Sequence, residues 1–270
     1  MQNVNIKVYN PEELSGIAER IWLIETNENP FTPIIVASNF INIFFPLDER
    51  GISINDVVSH KPLISGVMQK PFVLQMPPNC KFLSVRLYVY GLYPLADVYN
   101  ITENGPEASE ALETFYDSHK ETFLSNDIEA ILTLVRKELI SKFCAKRARK
   151  TDLLKSFYEY IVNEVSGDIV SSFCKEKDIN YINLNRLCTK VIGITPKKLE
   201  RLVKFRKSLD YILKTNNSFT NIAINSGYFD QPHFVKEFKF FTGFTPTAFI
   251  KFLQQEALFD SKEVINFSTF

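Results

Sequence analysis

Between Ser218 and Pro246 the sequence lines up groups able to form hydrogen bonds with something outside their own fold. Gln231, His233 and Lys236 carry donors and acceptors, and they stand between residues that a helix would bury, Phe234 and Phe238 at i and i+4. That pairing places the phenylalanines on one helix face and leaves the polar groups on others. The chemistry on offer is recognition of polar edges or phosphates, with no bond made or broken. The elements that must position these groups are legible around them. Ser218 can cap a helix that buries Ile222 and Ala223. Gly227 supplies a turn, because it tolerates positive φ without steric cost. Asp230 can accept bonds from the free amides of the next helix. Pro232 fits its first turn, where a missing amide hydrogen is not needed. Gly243 and a helix opened by Pro246 close the unit. A helix, a glycine turn and a polar-fronted helix are the sequence form of a helix-turn-helix, whose second helix enters the major groove of DNA.

A weaker copy lies upstream. Asn180 can cap a helix with Leu184, Leu187 and Cys188 inside and Tyr181, Asn183, Asn185, Arg186 and Thr189 directed elsewhere. Gly193-Ile194-Thr195-Pro196 ends it as Gly243-Phe244-Thr245-Pro246 ends the second, 50 residues on. The segment from about 165 to 253 resembles the DNA-binding domain of the AraC/XylS family. The residues that carry the likeness are Gly193 to Lys197, Arg206, Ile222-Ala223, Gly227 to Gln231, His233-Phe234, Glu237 to Lys239 and Gly243 to Pro246. The match covers about a third of the chain. It implies two helix-turn-helix units joined by a linker helix, and sequence-specific binding of double-stranded promoter DNA, with RNA polymerase as a partner.

Residue roles follow from the resemblance, which implies that bases are read from the front of each recognition helix. In the first unit that points to Ile182, Asn185, Arg186 and Thr189, and in the second to Gln231, Pro232, His233 and Lys236. Arg186 could pair with a guanine edge, and Asn185 or Gln231 with adenine. Each has a plainer reading as a phosphate contact or an exposed side chain, and His233, beside Phe234, has a capping or packing alternative. The first unit departs from the family: Ile182 stands where a polar or aromatic reader is common, and Cys188 replaces a usual core phenylalanine. That unit is expected to read DNA weakly, by shape or by contact with thymine methyls. Between the units, Pro196 to Lys214 reads as a helix of about 28 Å at 1.5 Å per residue, near the ~34 Å DNA repeat. Lys197, Lys198, Arg201, Lys204, Arg206 and Lys207 crowd it, offering phosphate neutralisation or simply a solvated face. Arg206 falls on or near the apolar stripe, which gives it a structural alternative.

The chain ahead of this region has another character. To about residue 105, short apolar runs alternate with turn residues: Ile21 to Ile24, Pro33 to Val36, Asn39 to Phe45, Phe72 to Leu74 and Phe82 to Tyr90. Prolines punctuate the segment as a sandwich or barrel requires. The strings Ile21-Trp22-Leu23-Ile24, Pro62 to Gly66 and Val85 to Tyr88 resemble cupin-like sensory arms. That likeness implies a small-molecule or protein signal and a homodimer contact. Residues 107 to 148 read as helical, with Leu112, Phe115, Tyr116 and His119 on one stripe and Ile128, Ile131, Leu132, Val135 and Leu139 on another. The basic cluster within 142 to 150 reads as a helix end, a linker or a solvated face, and the boundary is placed near 150. The fold class expected is therefore α+β in two domains: residues 1–150 β-rich and cupin-like with flanking helices, and 151–270 all-α with two helix-turn-helix units.

Charge supports the division. Lys175 to Lys251 holds 14 Lys and Arg against 6 Asp and Glu, a net +8, while the remainder holds 17 against 25, a net −8. A basic block on an acidic partner suits a phosphate-facing domain attached to something else. No apolar run approaches the ~20 residues needed to span a bilayer, and the N-terminus lacks a secretory pattern. Cys80, Cys144, Cys174 and Cys188 have no CxxC spacing, so a bacterial cytoplasmic chain with reduced thiols is expected.

An enzyme would need more than is present. His60, His119 and His233 are the three histidines, too few and too scattered for a metal cupin, so no metal and no cofactor is expected. No Ser/His/Asp set, Cys/His pair or glycine-rich phosphate loop stands out. Cys80, in Pro77-Pro78-Asn79-Cys80-Lys81, lacks a neighbouring cysteine that would suggest a repair alkyl transferase. Arg86, on an apolar strand, reads as a paired structural arginine or an anion contact. Trp22 and Tyr88 to Tyr93 read as core or pocket lining. The choice that remains is between a regulator with a ligand-sensing arm and one whose first half only dimerises or contacts protein. A lined cavity would favour the first, a filled β core the second.

Overall fold

The computed structural model describes residues 4–10, 12–14, 16–54, 56–92, 106–142, 148–164, 167–215 and 217–255. The N-terminal half is β-rich. A six-stranded sheet runs β1(Val4–Tyr9), β2(Ala18–Thr26), β9(Lys81–Tyr88), β4(Phe40–Pro46), β7(Leu63–Ser65), β10(Pro106–Ala108) in spatial order. A four-stranded sheet runs β3(Ile34–Ile35), β8(Phe72–Gln75), β5(Ile52–Ile54), β6(Val57–Ser59). The pairings are antiparallel, with Ile21 opposite Val85 and Ile43 opposite Val85 on its other side.

The large sheet is buried on both faces, and the period of two explains how. Odd residues of β2 and β9, among them Ile21, Leu23, Leu83, Val85 and Leu87, join a core shared with the helices. Even residues Trp22, Ile24 and Phe82 join a second core with Ile54, Phe72 and Leu74 of the smaller sheet and with Met76 just beyond it. The β core is thus filled with side chains. Trp22 lies in it fully buried, while Tyr93 lies outside the described residues.

Three helices follow: α1(Glu110–Ser118), capped by Ser109, α2(Lys120–Leu124) and α3(Ile128–Lys142). They bury the expected Leu112, Phe115, Tyr116, Ile131, Leu132, Val135 and Leu139. His119 departs from its stripe: it is the exposed junction of α1 and α2, its Nδ1 lying 2.9 Å from the Phe115 carbonyl. The structure also adds β1, where a mixed polar start gave no strand signal, and β10, where the expected helical region begins. Of the basic cluster at the expected boundary, Lys146 and Arg147 lie outside the described residues.

The rest of the chain is helical: α4(Ala148–Asn163), α5(Ile169–Glu176), α6(Tyr181–Ile192), α7(Pro196–Lys214), α8(Phe219–Asn225), α9(Gln231–Thr242) and α10(Pro246–Gln255). Its core is aromatic, with Phe205 stacked on Phe241 at 4.8 Å between ring centres and Phe238 edge-on to Phe205, Phe234 and Phe249. The halves touch directly. The Ala37 amide donates to the Phe241 carbonyl at 3.2 Å, and Asn39 Nδ2 donates to the Tyr158 hydroxyl at 2.7 Å. Among the described residues no helix is long and apolar enough to cross a membrane.

Candidate nucleic-acid interface

Two short helix pairs, α5–α6 and α8–α9, are built alike. In the first, Cys174 accepts the Ile179 amide at 2.9 Å across a turn whose Asp178 has φ 49°. In the second, Ala223 accepts the Tyr228 amide at 2.9 Å across a turn whose Gly227 has φ 81°. A left-handed residue closes each turn, glycine without steric cost and aspartate as one of the few side chains that tolerate it. Each following helix is capped as its sequence requires. Asn180 Oδ1 accepts the Ile182 amide at 2.7 Å, and Asp230 Oδ1 accepts the His233 amide at 2.8 Å. Gly193 and Gly243 then end α6 and α9 at φ 84° and 81°. Thr195 caps α7 by accepting the Lys198 amide.

These caps and turns hold the inner faces of α6 and α9 against the core and leave their fronts outside. Leu184, Cys188, Val191 and Ile192 of α6 are buried, as are Phe234, Phe238, Phe241 and Thr242 of α9. Ile182, Arg186 and Thr189 are exposed on α6, and Gln231, Pro232, His233 and Lys236 on α9. Asn185 is set apart from them: it is half-buried, and its Oδ1 is enclosed without a hydrogen-bond partner. Gln231 Oε1 accepts from the Thr220 hydroxyl at 2.8 Å, which fixes the amide. His233 packs edge-on to Tyr228 at 5.3 Å while its side chain stays exposed, so the packing alternative holds for one face of the ring.

The linker helix α7 corrects the sequence reading. Most of the cations that crowd it are engaged within the protein. Lys197 pairs with Asp168 at 2.6 Å and Glu200 at 3.2 Å, and Lys204 with Glu200 at 2.8 Å. Lys207 donates to the carbonyls of Ile161 and Glu164 at 3.3 and 2.9 Å. Arg201 grips Glu237 with two bonds of 2.9 Å. Arg206 is buried, and desolvation lowers its pKa to about 10, which still leaves it charged at neutral pH. Spacing revealed the charges and places Glu200 within reach on the same helix, but not Asp168 and Glu237, which lie on other parts of the chain.

Sequence reasoning also missed Phe229, 90% exposed in the turn before α9. A second omission is a cleft of about 460 Å³ between the halves. Arg20, Phe40 and Arg86 line it from the β side, and Tyr158, Arg206 and Lys207 from α4 and α7. Arg86 is packed and hydrogen-bonded as the structural reading expects. Its guanidinium lies over Trp22 at 4.3 Å and Phe40 at 5.3 Å, and its Nε donates to Asn42 Oδ1 at 3.2 Å, yet it also borders the cleft. Burial lowers its pKa.

Residues 173–251, which hold most of both helix pairs, match the family profile described as "Helix-turn-helix domain". The C-terminal region of this chain is an AraC-type helix-turn-helix domain. The match begins within α5. Residues 7–103 match a second profile, described as a domain of unknown function, DUF6597. Among solved structures the chain is similar to ToxT from Vibrio cholerae, at 13% identity over 93% of this chain and 98% of that one, with a TM-score of 0.47. An unsaturated fatty acid bound wild-type ToxT from Vibrio cholerae strain SCE256 shares 12% identity, with 93% and 96% covered and a TM-score of 0.48. The DNA-binding domain of AdpA, in complex with a target DNA, shares 12% identity over 40% of this chain and 94% of that one, with a TM-score of 0.35. No curated protein sequence matches the chain.

Proposed function

We propose that this chain is a bacterial, cytoplasmic transcription regulator that reads duplex promoter DNA with the fronts of α6 and α9. The observation that carries the reading is the pair of capped, outward-facing helix fronts within an AraC-type domain, joined by the 19-residue helix α7. A rigid spacer of that length sets two recognition helices about one DNA turn apart, so both can enter successive major grooves on one face. Ile182, Arg186, Thr189, Gln231, Pro232, His233 and Lys236 are the reading set. Asn185 joins it only if its amide turns outward. We take the sensing half as 1–150 and the DNA-binding half as 151–270, with RNA polymerase and a second copy of the chain as partners.

We further propose that a small anionic ligand controls DNA binding from the cleft. The filled β interior favours the alternative in which the first half only dimerises or contacts protein, and the cleft between the halves is what supports a ligand-responsive regulator instead. Arg20, Arg86, Arg206, Lys207 and Lys214 border it against Glu19 and Asp210, an excess of cations suited to a carboxylate or phosphate. Because α7 forms one wall, a ligand there acts on the spacer between the two reading helices.

The test is in vitro selection of random duplexes by the full chain, followed by footprinting of the enriched site. Two protected segments about one helical turn apart are expected. Enrichment of no duplex over random DNA overturns the regulator reading. Repeating the footprint with a panel of organic carboxylates and phosphates, on the wild type and on Arg86→Met, tests the cleft. An effector that acts equally on both places control elsewhere.

A further inference from the structure

We infer that Phe229 is a DNA-reading residue whose ring packs on the C5-methyl groups of thymines when α9 enters the major groove. This rests on the DNA-binding reading and adds to it a residue and a base preference.

Three observations carry the inference. First, Phe229 is 90% exposed, where the other exposed large apolar residues described here reach 61% at most. A bare phenylalanine leaves a large apolar area in water, which a partner surface would remove. Second, the fold does not need it. The turn is closed by Gly227 and by the Tyr228 amide on Ala223, Tyr228 is itself buried, and Asp230 caps α9. The corresponding turn of the first unit does the same work with one residue fewer, since Asp178, Ile179 and the cap Asn180 stand where Gly227, Tyr228, Phe229 and Asp230 stand in the second. Phe229 is the additional residue. Third, its position is continuous with the proposed interface. It lies one residue before the cap of α9 and two before Gln231, and the front of α6 likewise carries an exposed apolar residue, Ile182 at 61%.

The chemistry selects the occupant. Bases present polar edges in the major groove except for one apolar group, the thymine methyl. An aromatic ring at the leading end of a recognition helix has that group as its complement. Sites read by α9 are therefore rich in thymine opposite the turn.

The experiment uses the full chain and the duplex it selects, with each thymine replaced in turn by deoxyuridine, which removes the methyl and keeps the pairing. Binding is followed by fluorescence anisotropy. Wild type is expected to lose about four-fold in affinity for each contacted methyl. Phe229→Ala is expected to bind the thymine duplex more weakly and to become indifferent to deoxyuridine at those positions. Its melting curve should match wild type, because the side chain touches so little. Equal sensitivity of Phe229→Ala and wild type at every position overturns the inference. So does an equal loss on selected and random duplexes, or a change in sedimentation that makes Phe229 a contact between copies. If wild type shows no preference for any duplex, the DNA-binding reading falls with it. Selective binding that Phe229→Ala leaves intact removes this inference alone.

Discussion

Arg201 of the linker helix holds Glu237 of α9 through two parallel bonds, Nε to Oε2 and Nη2 to Oε1, each 2.9 Å. Glu237 lies one residue beyond Lys236 and is largely buried, while nearly half of the Arg201 side chain remains exposed. The guanidinium also sits 5.5 Å from the Phe240 ring centre. A planar fork on a carboxylate fixes orientation as well as distance, so the pair sets the rotation of the recognition helix relative to its spacer. Arg201→Met strands a buried carboxylate and is expected to cost about 1–3 kcal/mol, less than a fully buried pair because the arginine is half in water. Adding Glu237→Met should recover much of that stability while leaving DNA affinity low, since packing returns but orientation does not. Thermal melts and anisotropy on the single and double variants check this. Additive losses in stability would mean the pair is not coupled.

Arg186 and Lys236 occupy the exposed fronts of α6 and α9. If each meets a base edge, Arg186→Ala or Lys236→Ala costs about 1–3 kcal/mol of discrimination between the selected site and random DNA. Titrations on both duplexes separate the roles. An equal loss on the two would assign the residue to phosphate.

The pairing of the α7 lysines bears on salt dependence. Lys197 and Lys204 are held by Asp168 and Glu200, so few counterions are released through them when DNA binds. Lys197→Ala and Lys204→Ala should leave the slope of log affinity against log salt unchanged. A slope shallower by about one per substitution would show that these lysines leave their carboxylates for phosphates.

The legibility of the chain follows the range of each interaction. The caps at Asn180, Ser218 and Asp230, the glycine ends at Gly193 and Gly243, and the span of α7 were readable because each is set by residues within a few positions. The strands around Trp22 and Val85 were readable from period and turn residues. The Arg201–Glu237 pair spans 36 residues and the contact from Ala37 to Phe241 spans the halves, and no local pattern encodes either. Asn185 looked like its exposed neighbours because helical spacing locates a side chain on a face but does not say how wide the covered strip is. Phe229 stands in the sequence as one member of a family-like string, and only its exposure separates it from Tyr228. The cleft joins β2, β4 and β9 to α4 and α7, so its lining exists only after the halves dock.

Asp168 gives the helical half a measurable pH dependence. It is the N-cap residue of α5. It accepts from Lys197 Nζ at 2.6 Å and from Ser171 Oγ at 2.5 Å, tying the start of the first helix-turn-helix to the start of α7. Those two bonds lower its pKa to about 2 from an ordinary 3.8. A carboxylate with a depressed folded-state pKa stabilises the fold above its unfolded value and loses that contribution as pH falls toward the folded one. The contribution of Asp168 is therefore full above pH ~4 to 5 and gone near pH 2. Asp168→Asn should melt below wild type at pH 6, and the two curves should converge as the pH is lowered through that window. Raised salt at pH 6 should also narrow the gap, because both side chains are about half exposed. Melting temperatures that run parallel from pH 6 to pH 2 would show that the Lys197 bond contributes nothing to the folded state.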